Sequence, residues 1–118
     1  MSQLNESTIK TADSHVLVQL QCAKLDEEHT QDLQDKVTAA TDQSPELSVI
    51  IDLSTVDFMP SLSIGALVAI LQQTKKRNQR LMLTNLNDTV RQVLAMCRLD
   101  KLFEIYDTPE TAIEKLQT

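Results

Sequence analysis

The sequence predicts one α/β domain built around a parallel β-sheet, and three observations predict it. The chain has 118 residues, 42% of them apolar, which is the size of one domain with one core. Short β-favouring runs alternate with segments at helical spacing in successive strand-then-helix units, and that alternation implies parallel pairing through right-handed crossovers. Aromatics are only 3% with no Trp, so Leu, Ile, Val, Ala and Met must pack the core, which suits strands covered by helices.

His15 to Leu20 (HVLVQL) is the first clear strand, and Ile9 belongs to an edge strand before it, so a hairpin opens the domain. Asp26 offers an N-cap, Glu27 and Glu28 put negative charge in the first turn, and Leu33, Val37 and Ala40 recur at helical spacing to about Thr41. Gln43 to Glu46, with Pro45, reads as a loop. Val49, Ile50, Ile51 and Leu53 then form a nearly continuous apolar run, the pattern of a central strand buried on both faces. A turn through Asp57 to Pro60 leads to a helix from Ser61 to about Asn78, closed by the basic cluster Lys75, Lys76, Arg77 and Arg80, which suits a helix C-terminus.

Leu81 to Thr84 repeats the buried-strand pattern, and Asn87 caps a helix whose expected core positions are Val90, Val93, Leu94 and Cys97. Leu102 to Tyr106 is the last strand. Thr108, Pro109 and Glu110 read as N-cap, first position and acidic first turn of a final helix carrying Ala112, Ile113 and Leu116.

Charge and composition narrow the function. A net charge of −6 disfavours a domain that must neutralise many phosphates on nucleic acid or anionic lipid, so a protein partner is expected. The start, Met1 to Lys10, is polar, and the longest apolar run, Ile64 to Leu71, is far shorter than the roughly 20 residues of a membrane span; a soluble cytoplasmic chain with no membrane insertion is expected. The one glycine, Gly65, leaves no way to write a GxxxxGK[ST] or GxGxxG phosphate loop or a GxSxG nucleophile elbow. Cys22 and Cys97 lack a CxxC partner or a neighbouring His, so buried, inert thiols are expected and no metal or other cofactor. His15 and His29 suit structural or solvated roles. Asp52 and Asp57 lie near a strand end, where a receiver domain accepts phosphate, but Gln21, Cys22 and Ala23 stand where its acidic pair would follow the first strand. An enzyme is therefore not expected.

The helix after Pro60 is the informative element. Ile64, Leu67, Val68 and Leu71 make one core-facing stripe, while Leu62, Ala66, Ala69 and Ile70 extend the apolar character onto another flank. Either both flanks are buried or the second is a patch for a partner. Ser61 and Ser63 stand at the helix start, where free backbone N–H groups and the dipole favour negative charge. A phosphate on Ser61 would be tolerated by the fold yet would carry about −1.5 to −2 charges into an interface built there. The plainer alternative is that Ser61 caps the helix after a turn set by Pro60.

The run Val49 to Val68, VIIDLSTVDFMPSLSIGALV, with the strand and helix order around it, resembles the STAS domain of the anti-sigma-factor antagonists over nearly the whole chain. In that family a buried strand ends in aliphatic-Asp-Leu-Ser, and a Phe-Met-Asp-Ser-Ser-Gly-Leu-Gly type loop opens the partner-binding helix. Asp52, Leu53, Ser54, Phe58, Met59, Ser61, Gly65, Ala66 and Leu67 match this layout; Asn87, Asp88, Val90, Leu94, Leu99 and Phe103 resemble its next helix and strand. The resemblance implies one STAS domain over residues 1–118, a small mixed sheet of edge strands then a parallel core, with about four helices packed mainly on one face.

It also implies that Ser61 is the phosphoacceptor and that Met59, Pro60, Ser61, Leu62, Ser63, Gly65, Ala66 and Ala69 form the partner-binding surface. The implied partners are an anti-sigma factor that is a serine kinase of the GHKL ATPase type and a phosphatase that restores binding; the implied function is release of a sigma factor by partner switching. Two positions depart from the motif: Pro60 replaces its Asp and Ser63 its first Gly. The alternative function is a STAS subunit or scaffold that binds an ATPase in a transport or signalling assembly without a phosphorylation cycle.

Overall fold

The computed structural model describes residues 7–117, so Met1–Glu6, most of the polar start, and Thr118 lie outside the described residues. The chain runs β1 (Thr8–Thr11), β2 (His15–Gln19), α1 (Glu27–Gln43), β3 (Ser48–Asp52), α2 (Ser61–Lys76), β4 (Leu81–Thr84), α3 (Asp88–Met96), β5 (Glu104–Tyr106) and α4 (Pro109–Leu116). The sheet order is β1-β2-β3-β4-β5, antiparallel at the opening hairpin and parallel thereafter. The apolar run at Val49 is thus the middle strand.

The twofold alternation of a strand sends successive side chains to opposite faces. Val18, Ile51 and Leu83 stand in register across β2, β3 and β4. With Val16, Val49 and Leu81 they meet Leu33 and Val37 of α1, Leu67, Ile70 and Leu71 of α2, and Val90 and Leu94 of α3 in the main core. Ile50 and Met82 point the other way, onto Ala112 of α4, with Leu17, Tyr106, Ile113 and Leu116 around them. Three helices therefore cover one face and α4 the other.

The helix starts follow the caps read from sequence. Asp26 accepts from the His29 N–H, Asn87 from that of Val90 and Thr108 from that of Thr111. Differences lie at the C-terminal ends. Helix α2 stops at Lys76 because Asn78 turns left-handed with φ 58°, and α3 stops at Met96 because Arg98 does so with φ 59°. That early stop makes Cys97 an exposed C-cap rather than a core residue, and Val93 is only half-buried. Strand β5 begins at Glu104, since the preceding residues fold into a turn in which the Leu102 N–H donates to the Leu99 carbonyl. Leu102 is left exposed.

The two arginines of the basic cluster, which follow α2, tie elements together. Arg77 pairs with Asp42 at the end of α1 and donates to the Thr41 carbonyl, and Arg80 pairs with Glu104 across the sheet. Hydrogen bonding from Arg80 holds the Glu104 carboxyl below its ordinary range.

Candidate functional site

The segment between β3 and α2 is built as a braced platform. Asp52 closes β3, and its buried carboxylate accepts from the Ser54 N–H at 2.9 Å and the Asn85 amide at 3.1 Å. It is thus a clasp between the ends of β3 and β4. Asn85 holds φ 57°, a conformation that Asn adopts more readily than most residues. The Thr55 hydroxyl reaches the carbonyls of Leu20 and Cys22, and the Asp57 N–H donates to Ala23 at 2.7 Å. Lys24 and Phe58 form a single parallel bridge. From the other side the Asn87 amide donates to the Val56 carbonyl at 2.8 Å and to the Asp57 carboxylate at 3.2 Å while its oxygen caps α3.

This brace fixes the start of α2. Pro60 is the N-cap residue and makes no side-chain cap bond, so Ser61 is the first helical residue and does not cap the helix. Ser63 closes the turn instead: its hydroxyl and its N–H both donate to the Pro60 carbonyl, at 2.7 and 3.0 Å. Ser63 is 0% exposed. Met59 is likewise buried in the core. These two residues, expected to be part of a surface, are instead buried: Met59 anchors the turn from below and Ser63 falls on the inward side of α2.

The buried arc of α2 is Ser63, Ala66, Leu67, Ile70, Leu71 and Thr74, turned from the stripe expected through Ile64 and Val68, which are only partly buried. The second flank divides. Ala66 and Ile70 are buried, whereas Leu62 and Ala69 are exposed together with Ser61 and Gly65. The cause is α1, which packs along one side of α2, tied by the Gln73 amide to the Thr41 hydroxyl. Of the eight expected surface residues, Ser61, Leu62, Gly65, Ala66 and Ala69 line one groove of about 500 Å³ between α1 and α2, and Pro60 stands at its head as the N-cap.

The facing wall of that groove, Glu27, Thr30, Gln31 and Gln34 of α1, is a part of the site that the sequence reading did not single out. It also passed over Phe58 as a surface residue. Phe58 is 50% exposed and Leu62 57%, so two large apolar side chains flank Ser61 in the chain. The Lys24 ammonium lies 5.8 Å from the Phe58 ring centroid, within cation–π range. A signal for Phe58 was available, an aromatic in the loop after a central strand of a chain that has two Phe. For the α1 wall there was none, because its residues are ordinary positions on a solvated helix.

Around the groove the titratable groups serve structure. The backbone N–H and ring of His29 hold the Asp26 carboxyl below its ordinary value, with a ring contact of 2.7 Å. Asp32 accepts the Ser7 N–H and hydroxyl and pairs with Lys36. Burial, with Asp26 and Asp32 nearby, pushes the Cys22 thiol up to about 11, which makes it a weak nucleophile. Among the described residues no cluster of three or more His, Cys, Asp or Glu could hold a metal ion, and no helix is long and apolar enough to cross a membrane.

Comparison with known proteins agrees with this architecture. A family model for the STAS domain matches residues 6–112. A Thermotoga neapolitana protein that bears the name of an anti-sigma factor antagonist is 33% identical over 69 residues, 58% of this chain and 61% of that protein, so the match spans about three fifths of the relative's length. The crystal structure of a Thermotoga maritima protein of the same description has a TM-score of 0.82 at 25% identity, covering 95% of both chains. The unphosphorylated form of the anti-sigma factor antagonist SpoIIAA shares the fold at a TM-score of 0.79 and 20% identity, covering 94% of this chain and 96% of that one. With the mixed sheet, the clasped strand end and the braced entry to α2 in place, the chain belongs to the STAS domain family.

Proposed function

We propose that this chain is one STAS domain over residues 1–118 acting as an anti-sigma-factor antagonist: it binds an anti-sigma factor of the GHKL kinase type, releases a sigma factor, and is controlled by phosphorylation of Ser61, with a phosphatase restoring binding. The observation that carries the proposal is the setting of Ser61. It is exposed, first in the helix, and flanked by exposed Phe58 and Leu62 on a platform braced from two sides. A phosphate there would meet the favourable end of the helix dipole, so the fold would keep its stability. A partner packed on Phe58 and Leu62 would instead have to desolvate that phosphate. The relatives named as anti-sigma factor antagonists support the partner class.

The test is to incubate the protein with ATP and each GHKL-type kinase of its source genome, locate the phosphate by mass spectrometry, and measure binding of wild type and Ser61→Asp. The expected results are modification at Ser61 and a loss of roughly tenfold or more in the affinity of Ser61→Asp, about 1.4 kcal/mol. Absence of both modification and binding would refute the proposal.

Pro60 favours a second reading. It places neither a carboxylate nor an N–H beside Ser61, so a kinase that reads the motif Asp would lack its contact. Under this reading the domain is a scaffold or transport-assembly subunit that holds an ATPase constitutively, and Ser61→Asp leaves affinity unchanged.

A further inference from the structure

The end of the sheet opposite Ser61 carries two regions of unlike charge. There β2 to β5 begin and α1 to α3 end, and bonds join the connecting turns into one face. The Ser48 N–H donates to the Ser14 carbonyl at 3.5 Å, the buried Gln79 amide to the carbonyls of Ser44 and Leu47 at 3.3 and 2.7 Å, and Arg80 pairs with Glu104. On the α1 side, Ala12 and Asp13 of the hairpin and Ser44, Pro45, Glu46 and Leu47 of the next loop line a hollow of about 450 Å³. On the α3 side, Met96 is 84% and Leu102 52% exposed, and Arg98 and Lys101 between them in the chain are exposed too. Among the described residues no ion pair holds Asp13, Glu46, Arg98 or Lys101.

Arg98 adds an observation independent of charge. It closes α3 at φ 59°; its N–H donates to the Ala95 carbonyl at 3.0 Å and the Leu99 N–H to the Leu94 carbonyl at 2.8 Å. The left-handed residue that ends a helix in this way is usually glycine, because a Cβ is strained there. The other two left-handed residues among those described, Asn78 and Asn85, are of a type that tolerates it. Among the described residues the Arg98 guanidinium has no partner, so nothing within the fold offsets its strain. What an exposed cation held at this turn can serve is contact with another molecule.

We infer that this end binds a second copy of the chain about a twofold axis, with the Met96, Arg98, Lys101 and Leu102 region of each copy seated on the Asp13 and Glu46 hollow of the other. A half turn about an axis lying across the face exchanges its two sides, so the same contact is made twice, as a closed dimer requires. Charge complementarity selects this occupant: Arg98 and Lys101 meet Asp13 and Glu46, while Met96 and Leu102 meet Ala12, Pro45 and Leu47. An anionic membrane is a poorer match, because a chain of net charge −6 is repelled from it. The molecule measures 36 × 35 × 25 Å, so one end is comparable with the roughly 800 Å² that each partner gives a standard interface. Lys75 and Lys76, in the last turn of α2, stand between the two regions, and their flexible stems can turn the charge out to water. Ser61 lies at the far end of each copy, so the inference is independent of the proposed function.

The test uses the full chain, with sedimentation at rising concentration in low and high salt and with melting temperature as readouts. The wild type is expected to form a two-chain species that salt weakens. Arg98→Glu with Lys101→Glu and, separately, Asp13→Lys with Glu46→Lys are each expected to weaken it roughly tenfold or more. An equal mixture of these two variants is expected to regain the two-chain species, since both contacts then join opposite charges. Arg98→Gly is expected to associate more weakly while melting at or above the wild-type temperature, which separates the contact from the fold. Ser61→Asp is expected to associate as the wild type does. The inference is overturned if the wild type stays a single chain up to about 1 mM, or if the mixture does not associate. Assemblies longer than two chains would overturn the twofold contact in favour of a head-to-tail one. A lower melting temperature for Arg98→Gly would assign its side chain to the fold, and loss of association in Ser61→Asp would move the contact to the start of α2; either result overturns the inference.

Discussion

Asn87 joins two elements with one side chain, and its replacement separates their contributions. Its oxygen caps α3 at the Val90 N–H, 2.9 Å, and its amide donates to the Val56 carbonyl, 2.8 Å, in the segment that leads to α2. Asn87→Ala removes both. Loss of a cap costs about 1 kcal/mol, and loss of a bond to a part-buried carbonyl about 1 kcal/mol more. A total near 2 kcal/mol corresponds to a fall in Tm of roughly 5–10 °C for a domain of this size. Asn87→Asp keeps the acceptor and loses the donor, and it turns a carboxylate toward that of Asp57, which now accepts from Asn87 at 3.2 Å. It should lose about 1 kcal/mol, with part of the loss recovered in high salt. Thermal unfolding of the three proteins gives the comparison. Hydrogen exchange at the Asp57 and Phe58 N–H groups, both bonded to Ala23, should quicken in either variant as the brace loosens. The reasoning is refuted if Asn87→Asp matches the wild type in both stability and exchange.

Four shorter predictions accompany it. Ser61→Asp should melt at or slightly above the wild-type temperature, because a carboxylate in the first turn complements the dipole by about 0.3–1 kcal/mol; any loss of binding then reflects the interface. In the native protein a thiol reagent near neutral pH should modify exposed Cys97 quickly and buried Cys22 only on unfolding, a difference that thiol titration reads directly. The raised thiol value of Cys22 fixes a pH trend. The folded state resists ionisation at a group that titrates at 9.0 when free and at about 11 when folded, so its contribution is complete below pH 9 and is lost as pH rises toward 11, which alkaline melting curves would show. Phe58→Ser with Leu62→Ser should lower stability by only about 1–2 kcal/mol, since both side chains are about half exposed and Phe58 loses its contact with Lys24, yet should weaken partner binding measured by calorimetry.

Local signals were legible wherever the cause is local. The caps Asp26, Asn87 and Thr108, the central strand at Val49 and the hairpin around Ile9 all rest on side chains or periodicities that act within a few residues. Helix ends were harder to read, because Asn78 and Arg98 stop α2 and α3 through left-handed backbone that no glycine marks. Cys97 was misplaced for that reason.

For the candidate site, the sequence by itself determined that the helix opening at Ser61 carries more apolar surface than one core face needs and that Gly65 stands within it. Only the tertiary structure decided which of those residues face outward. Packing of α1 against α2 buries Ala66 and Ile70 and exposes Leu62 and Ala69, and the turn at Pro60 draws Met59 and Ser63 inward. It also decided that Glu27, Gln31 and Gln34, some thirty residues earlier in the chain, form the opposite wall of the groove. Periodicity along one helix records how apolar each side is, but which side meets a neighbour depends on where the sheet places the next helix.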